Sequence, residues 1–486
     1  MKKFGAGRSI DDADKVLALH WSVVKPSWKC MRFEVKNLGP LRDAAIDLGG
    51  FTIVCGKNNC GKTYLAYTLD TFLDTIEYNL RLPLHDKDLD VLYSKGAVAV
   101  DLEDYVSDYI DVVQKTVPDF TQTLPRFLAM SDERFEATEV KVPLTRDGVI
   151  ACLRGGSGPK ADILEVPVKI TKTASIVIKR SSVSTKVTIT LINLSPELPS
   201  KKIVRDVLAL QLAHMFNSTP DNPLFPKSFI ITSERTGAAL FRSELLSVKV
   251  RRDQDQSKPM PPTGYRGYGY QRPVEKDIEF VLELKRFLPR KSYIAERHPE
   301  ILDFLATIAG GTYEFDTSVD QVRFNPQNVE LSLSLAESSS TVRALAELYF
   351  YLKHRAKRGQ MLMFDEPEIN LHPENQRKLA RLFAMLVRAG VRVFITTHSD
   401  YIVREVNALI RMNAVTGEAR KALFRKYGYA LMEGLQPQEV KCYVLRDGVA
   451  EEVLFDEGCR SFGIPSFDDT IERFNSLYND LVDIGA

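Results

Sequence analysis

The chain has 486 residues, 44% hydrophobic and 27% charged. That is about three domains at ~150 residues each, or one elaborated domain with an insertion, and it excludes a low-complexity or wholly disordered protein. Sixty-five Lys and Arg against 64 Asp and Glu leave a net charge of +1, so any nucleic-acid contact must be a local patch.

Residues 1–30 form either a small appendage or a stretch upstream of a true start at Met31; they lack the apolar run of a secretory signal. Phe33, Val35 and Leu38 alternate, then Ala45, Ile46 and Leu48, which predicts two strands. Phe51–Val54 reads as a buried strand. From Thr63 the apolar positions Leu65, Leu69, Phe72, Leu73 and Ile76 take helical spacing. Residues 86–135 read as mostly helical, with Pro118 and Pro125 as breaks. Residues 137–193 alternate like strands, with a turn at 155–160, and a helix follows at 200–216. The segment 228–237 is a buried strand ending in polar residues. Residues 251–274, rich in Pro, Gly and Tyr, form a surface loop. Helices are predicted at 275–288 and 298–308, and strands at 312–335. Then helix, strand (361–366), helix, strand (391–398) and helix alternate, the pattern of parallel strands with covering helices. Residues 441–455 read as a hairpin turning at Asp447-Gly448. No run approaches the ~18–20 apolar residues of a membrane span. The six cysteines, at 30, 55, 60, 152, 442 and 459, fit no zinc spacing, and the reducing cytoplasm is the expected compartment.

Gly56, Lys57, Asn58, Asn59, Cys60, Gly61, Lys62 and Thr63 fit G-x-x-x-x-G-K-[ST] between a predicted strand and a predicted helix. Glycines let backbone N–H groups curl around phosphate oxygens, and the helix presents its positive end to them. Lys62 would reach the β- and γ-phosphates of ATP, and the Thr63 hydroxyl would ligate Mg²⁺. Asp365 and Glu366 end a buried strand. Asp365 is the candidate for the Mg²⁺ shell and Glu366 for polarising the attacking water. His398 ends the next strand, facing the crevice where α/β sheets bind ligands, and is the second candidate catalytic residue.

These elements together resemble the ABC-type ATPase core in its SMC/RecF-like branch. The stretch 364–410, the opening 33–63, Ser233–Gly237 and Leu335–Leu352 are similar to AAA-type ATPases related to the OLD (overcoming lysogenisation defect) family. The resemblance implies an α/β fold: an ABC-type P-loop core with a mixed, largely parallel sheet and flanking helices. N- and C-terminal segments would build that core around an inserted mixed α/β lobe. The expected organisation is an extension at 1–30, core at 31–80, lobe at 81–310, core at 311–412, and a tail with a hairpin at 413–486. In this family type the nucleotide is sandwiched between two protomers, and a serine signature from one caps the γ-phosphate held by the other. Ser338, Ser339 and Ser340 occupy that position, although the glycine that usually follows is missing. Asn370–Pro373 matches the loop that crosses the same interface, or is only the turn before a helix. Glu234 and Arg235 fall near the family's Q-loop or a phosphate sensor.

Many such proteins are anti-phage defence ATPases (Septu, PARIS and retron-associated types look similar) that act with a separate nuclease or toxin. The resemblance therefore implies an ATP-hydrolysing regulatory subunit that controls such an effector through ATP-dependent self-association. The alternative is a RecF-like DNA-repair ATPase that binds DNA directly. The tail acids are scattered, and 413–486 is shorter than a typical α/β domain of ~100–150 residues, so no built-in nuclease is expected. No heptads predict a coiled coil. The basic run Lys353–Arg358 ends a helix, where cations suit the dipole, and reads first as a solvated face. Tyr265–Arg272 interleaves aromatics with arginines and reads as base-stacking, partner-binding or an unstructured loop.

Overall fold

The computed structural model describes residues 31–154, 163–181, 184–195, 197–218, 223–242, 244–245 and 269–483. The expectations for 1–30, for the turn at 155–160 and for the loop up to 268 lie outside them. The strands are β1 (Arg32–Leu38), β2 (Leu41–Asp47), β3 (Phe51–Gly56), β4 (Ala97–Asp101), β5 (Glu139–Lys141) and β6 (Ile163–Lys169). Then come β7 (Ala174–Ser181), β8 (Lys186–Asn193), β9 (Ser228–Ile231), β10 (Gly311–Asp316) and β11 (Gln321–Pro326). The last five are β12 (Leu333–Ser334), β13 (Met361–Asp365), β14 (Arg392–Thr397), β15 (Val440–Arg446) and β16 (Val449–Val453).

The described residues fall into two compact units. One comprises Leu80–Val112 and Thr145–Leu224; the other comprises Met31–Asn79, Val113–Leu144 and the chain from Phe225 onward. The smaller unit holds a four-stranded antiparallel sheet ordered β4-β8-β7-β6. Residues 86–135 are mostly helical, and β4 is the one strand among them: its Val98 and Val100 alternate into the core and pair with β8.

The larger unit is built on a nine-stranded sheet ordered β5-β1-β2-β16-β15-β3-β14-β13-β9. Five of its strand pairs are parallel: β2/β16, β15/β3, β3/β14, β14/β13 and β13/β9. β3, β13 and β14 are buried at every position, as parallel strands covered on both faces must be. The expected α/β core, largely parallel and assembled from N- and C-terminal segments, is the fold the chain forms. On the sheet pack the helices Ser340–His354, Pro373–Arg388 and Asp400–Ala414, in one core that joins Phe51, Phe364, Phe383, Leu345 and Val406.

Two departures concern local signals that distant packing overrides. The helix Val106–Phe127 runs through Pro118 and Pro125. An interior proline costs about 3 kcal/mol. Val113, Val117, Phe120 and Leu124 are all buried, and each such side chain returns ~1.5–3 kcal/mol. The predicted hairpin exists, with Asp447 at φ 51° and Gly448 at φ 77°, the left-handed pair of a type I′ turn. It is no separate appendage: β15 and β16 lie between β3 and β2 and complete the sheet. Gly448 O accepts from Arg42 N and Asp43 N at 2.7 and 3.0 Å.

Candidate functional site

β3 feeds directly through the loop Gly56–Gly61 into the helix Lys62–Asn79. The loop needs its glycines. Gly56 has φ 151° and Gly61 φ 101°, conformations that L side chains rarely adopt. A Cβ at Gly56 would lie 2.7 Å from Leu445 O, and one at Gly61 2.7 Å from Leu41 Cγ. Asn59 takes φ 61°, which asparagine tolerates best among non-glycine residues. Lys62 is 4% exposed. Its Nζ donates back to the loop, to Gly56 O at 3.2 Å and Lys57 O at 3.0 Å. Cys55, just before the loop, and Cys60, within it, are free thiols.

Parallel register aligns the strand ends. Asp365 sits opposite Thr396, and Thr397 opposite Cys55, so loop, acids and histidine reach one rim of the sheet. Thr63 Oγ1 donates to Asp365 Oδ2 at 3.2 Å. Thr396 Oγ1 donates to Asp365 Oδ1. Burial pushes the Asp365 carboxyl up to about 6, against the lowering effect of these hydroxyls. A buried carboxylate beside a threonine hydroxyl is a donor pair suited to a hard divalent cation.

Glu366 adopts φ 47°, an outlier for a glutamate that surrounding bonds must hold. Its N–H donates to Thr396 O at 3.2 Å and Thr396 Oγ1 at 3.1 Å. Its O accepts from Arg235 Nη2 at 3.0 Å. So pinned, the side chain reaches His398, with Oε1 3.0 Å from Nε2. That hydrogen bond is the main reason the Glu366 carboxyl is held below its usual range. His398 Nε2 is also 2.8 Å from Lys62 Nζ, so lysine, glutamate and histidine form one cluster.

Arg235 does more here than its sequence position suggests. It is 1% exposed. Nη1 donates to Thr232 O at 3.0 Å and Asp365 O at 3.1 Å, and the guanidinium lies 4.7 Å above the Phe364 ring. Its neighbour Glu234 instead accepts from Tyr67 OH at 3.0 Å. Glu368 is a residue that sequence reasoning passed over: its Oε1 accepts from His398 N, and burial raises its carboxyl. The signal was available in the spacing Asp365-Glu366-Pro367-Glu368, where a third acid follows at once.

Within one chain the structure brings together Gly56–Thr63, Asp365, Glu366 and His398. No hydrogen bond or ion pair among the described residues joins Ser338–Ser340 to them. Ser338 Oγ donates to Ser334 O at 2.7 Å, Ser339 caps the helix Ser340–His354 through Val342 N at 3.3 Å, and Ser340 is exposed. Thr341 Oγ1 donates to Asn370 O at 2.7 Å, and His372 caps the helix Pro373–Arg388. A cavity of about 630 Å³ opens beside the loop, walled by Gly56–Cys60 and by the hairpin from Val444 to Gly448.

No individual curated protein matches the chain in sequence. Among solved structures, the SmcHead bound to the C-winged helix domain of ScpA matches at 12% identity, covering 87% of this chain and 97% of that one, with a TM-score of 0.33. An Smc head domain with an extended coiled coil, bound to the C-terminal domain of ScpA derived from Pyrococcus furiosus, matches at 13%, covering 92% and 99%, with a TM-score of 0.32. The SMC head domain from Thermotoga maritima matches at 11%, covering 88% and 99%, with a TM-score of 0.29. The family model described as AAA ATPase domain matches residues 29–139 and 262–403. Those two segments carry the loop, Asp365, Glu366 and His398 and make up just over half of the sequence, so the chain belongs to the AAA ATPase domain family.

Proposed function

We propose that this AAA-family ATPase binds ATP at Gly56–Thr63 and hydrolyses it with Glu366 as the water-polarising base. The observation that carries the reading is the convergence of Lys62, Thr63, Asp365, Glu366 and His398 from three separate chain segments on one rim of the sheet. Backbone N–H groups of the loop and Lys62 hold the phosphates. Base and sugar enter the cavity between loop and hairpin. Thr63 and Asp365 would hold Mg²⁺, which when bound neutralises charge on the phosphate oxygens. Glu366, ionised at neutral pH, accepts a proton from the attacking water, and His398 orients Glu366 and contacts the γ-phosphate. Arg235 is a positioning residue that fixes the backbone of both acids.

The assembly is ABC-type in this reading. Ser339 and Ser340, at a helix N-terminus with an exposed hydroxyl, cap the γ-phosphate of a second protomer. ATP then drives self-association, and the assembly regulates a separate nuclease or toxin in anti-phage defence. The support for the defence role is the likeness of residues 33–63, 233–237, 335–352 and 364–410 to OLD-related ATPases. No described helix is long and apolar enough to cross a bilayer.

Light scattering of wild type and Glu366→Gln, with and without ATP and Mg²⁺, tests the assembly. An ATP-dependent rise in mass that the variant retains supports it, and a constant monomer mass overturns the capping role. For the defence role, wild type and Glu366→Gln would be expressed with their neighbouring genes and challenged with phage. Equal plaque counts in both strains and in an empty-vector control would remove that role.

A further inference from the structure

At the end of the sheet away from Lys62 and Glu366 lies a cavity of about 470 Å³. Lys227 and Gln360, which precede β9 and β13, line it, so it opens where those parallel strands begin. The C-terminal end of the helix Ser340–His354 supplies another wall. Cations reach the cavity from three stretches far apart in sequence: Lys227, then Arg290 and Lys291, then Arg355 and Lys357. Two carboxylates line it, and both have partners. Glu77 lies 3.6 Å from Lys227, and Asp74 lies 3.6 Å from both Arg272 and Lys276. Among the described residues no carboxylate lies within ion-pair distance of Arg290, Lys291, Arg355 or Lys357. In a chain of net charge +1, this is a concentrated positive field.

Helix capping does not account for these charges. Several carbonyls at the end of the helix Ser340–His354 and its exit already have donors. Ser292 Oγ donates to Leu352 O, Ser292 N to Lys353 O at 3.1 Å, and Tyr293 N to Ala356 O at 3.0 Å. Nor does the helix dipole explain Lys227, Arg290 and Lys291, which belong to other segments. The Arg355 guanidinium is lowered chiefly by burial; Tyr351 and the more distant carboxylate of Glu283 oppose this, while Arg290 and Arg286 add to it through like-charge repulsion. Aromatic surface accompanies the charge. Arg355 lies 4.5 Å above the Phe287 ring, and Tyr78 on the cavity wall is 64% exposed.

We propose that this cavity is a second phosphate-binding site. It takes a phosphate-bearing nucleotide unit, with the phosphate against Arg290, Lys291 and Lys357 and the base on Tyr78. The unit belongs either to a single strand of nucleic acid or to a small free nucleotide. The proposal goes beyond the ATP-site reading and stands or falls separately from it.

The test uses the full chain carrying Lys62→Ala, so that the phosphate loop contributes nothing, with and without Arg290→Ser, Lys291→Ser and Lys357→Ser. All three positions are exposed, and matched melting curves check that folding is intact. The probes are a labelled single-stranded oligothymidylate and a labelled dinucleotide phosphate, followed by anisotropy over a salt series. If a strand is the source, the triple substitution weakens oligothymidylate binding at least ~10-fold and lowers the salt slope by about 2, at ~0.7 per phosphate contact. If a free nucleotide is the source, the dinucleotide alone binds and the same variant loses it. Failure of both probes to bind the parent, or unchanged binding by the variant, would overturn the site. An acidic polypeptide binding there in place of both probes would overturn it equally.

Discussion

Glu366 Oε1 and His398 Nε2 stand 3.0 Å apart at the ends of two adjacent parallel strands. The same Nε2 is 2.8 Å from Lys62 Nζ. One nitrogen cannot donate to the carboxylate and accept from the ammonium at once. With the imidazole proton on Nδ1, Nε2 accepts from Lys62; with it on Nε2, the ring donates to Glu366. Movement of the ammonium toward a phosphate therefore favours the second tautomer and fixes the glutamate.

Glu366→Gln keeps the shape and the contact to His398 but removes the base. Turnover should fall by about 10²–10⁴, with ATP affinity within a few-fold of wild type. Single-turnover hydrolysis beside equilibrium nucleotide binding separates the two, and unchanged turnover would remove Glu366 from its role.

Lys62→Ala deletes charge-assisted bonds worth about 1.5–3 kcal/mol each. Nucleotide binding should weaken at least ~10-fold. Calorimetry with ATP and Mg²⁺ checks this, and wild-type affinity would sink the loop assignment.

Arg235→Lys keeps the charge but cannot span the carbonyls of Thr232, Asp365 and Glu366. Turnover should drop roughly ten-fold or more, because orientation at the reacting centre is what Arg235 supplies, with KM nearly constant. A rise in KM at constant kcat would show that Arg235 acts on binding instead.

Ser340→Arg places a bulky cation at the exposed start of the helix Ser340–His354. In a Glu366→Gln background the ATP-dependent gain in mass should disappear while ATP binding persists. Retained assembly would place the contact between protomers elsewhere.

Asp277 and Glu347 form a buried carboxyl pair beside Arg235, and Thr232 N donates to Asp277 Oδ2 at 2.8 Å. Burial raises Asp277 to about 7, above the ~3.9 of an unfolded chain. A carboxyl raised on folding stabilises the protein below its unfolded value and loses that contribution as pH rises through the folded one. The melting temperature should therefore decline between about pH 4 and pH 7, at roughly 1 °C per kcal/mol for a chain of this length. Asp277→Asn should flatten that dependence in scanning calorimetry, and a parallel curve would assign the titration elsewhere.

That Gly56–Thr63, Asp365, Glu366 and His398 would meet was legible because each is a short pattern at a strand end, and strand ends of a parallel sheet share one rim. Glu368 escaped because its partner, the His398 backbone, lies 30 residues away. The place of β15 beside β3 was equally hidden. Nothing local in residues 440–446 says which strand they will join, and the pairing register Tyr443 to Val54 is set by packing. Pro118 and Pro125 misled for the opposite reason: a strong local rule yielded to a buried stripe. Arg235 could be placed near the acids by sequence, but its three carbonyl partners belong to the folded chain.

The hairpin also bears on how the protein is made. β3 leads into the loop Gly56–Gly61, yet both its neighbours, β14 and β15, come from residues 392–446. At a synthesis rate of roughly 5–20 residues per second, the loop strand leaves the ribosome tens of seconds before either exists. Until then Gly56 lacks the backbone of Leu445 beside it, and the strand pairs only over long sequence distance, the slow kind of contact. At the proposed site, nucleotide capture is thereby deferred to the last stage of folding, and a growing chain is kept from acting as a half-built ATPase.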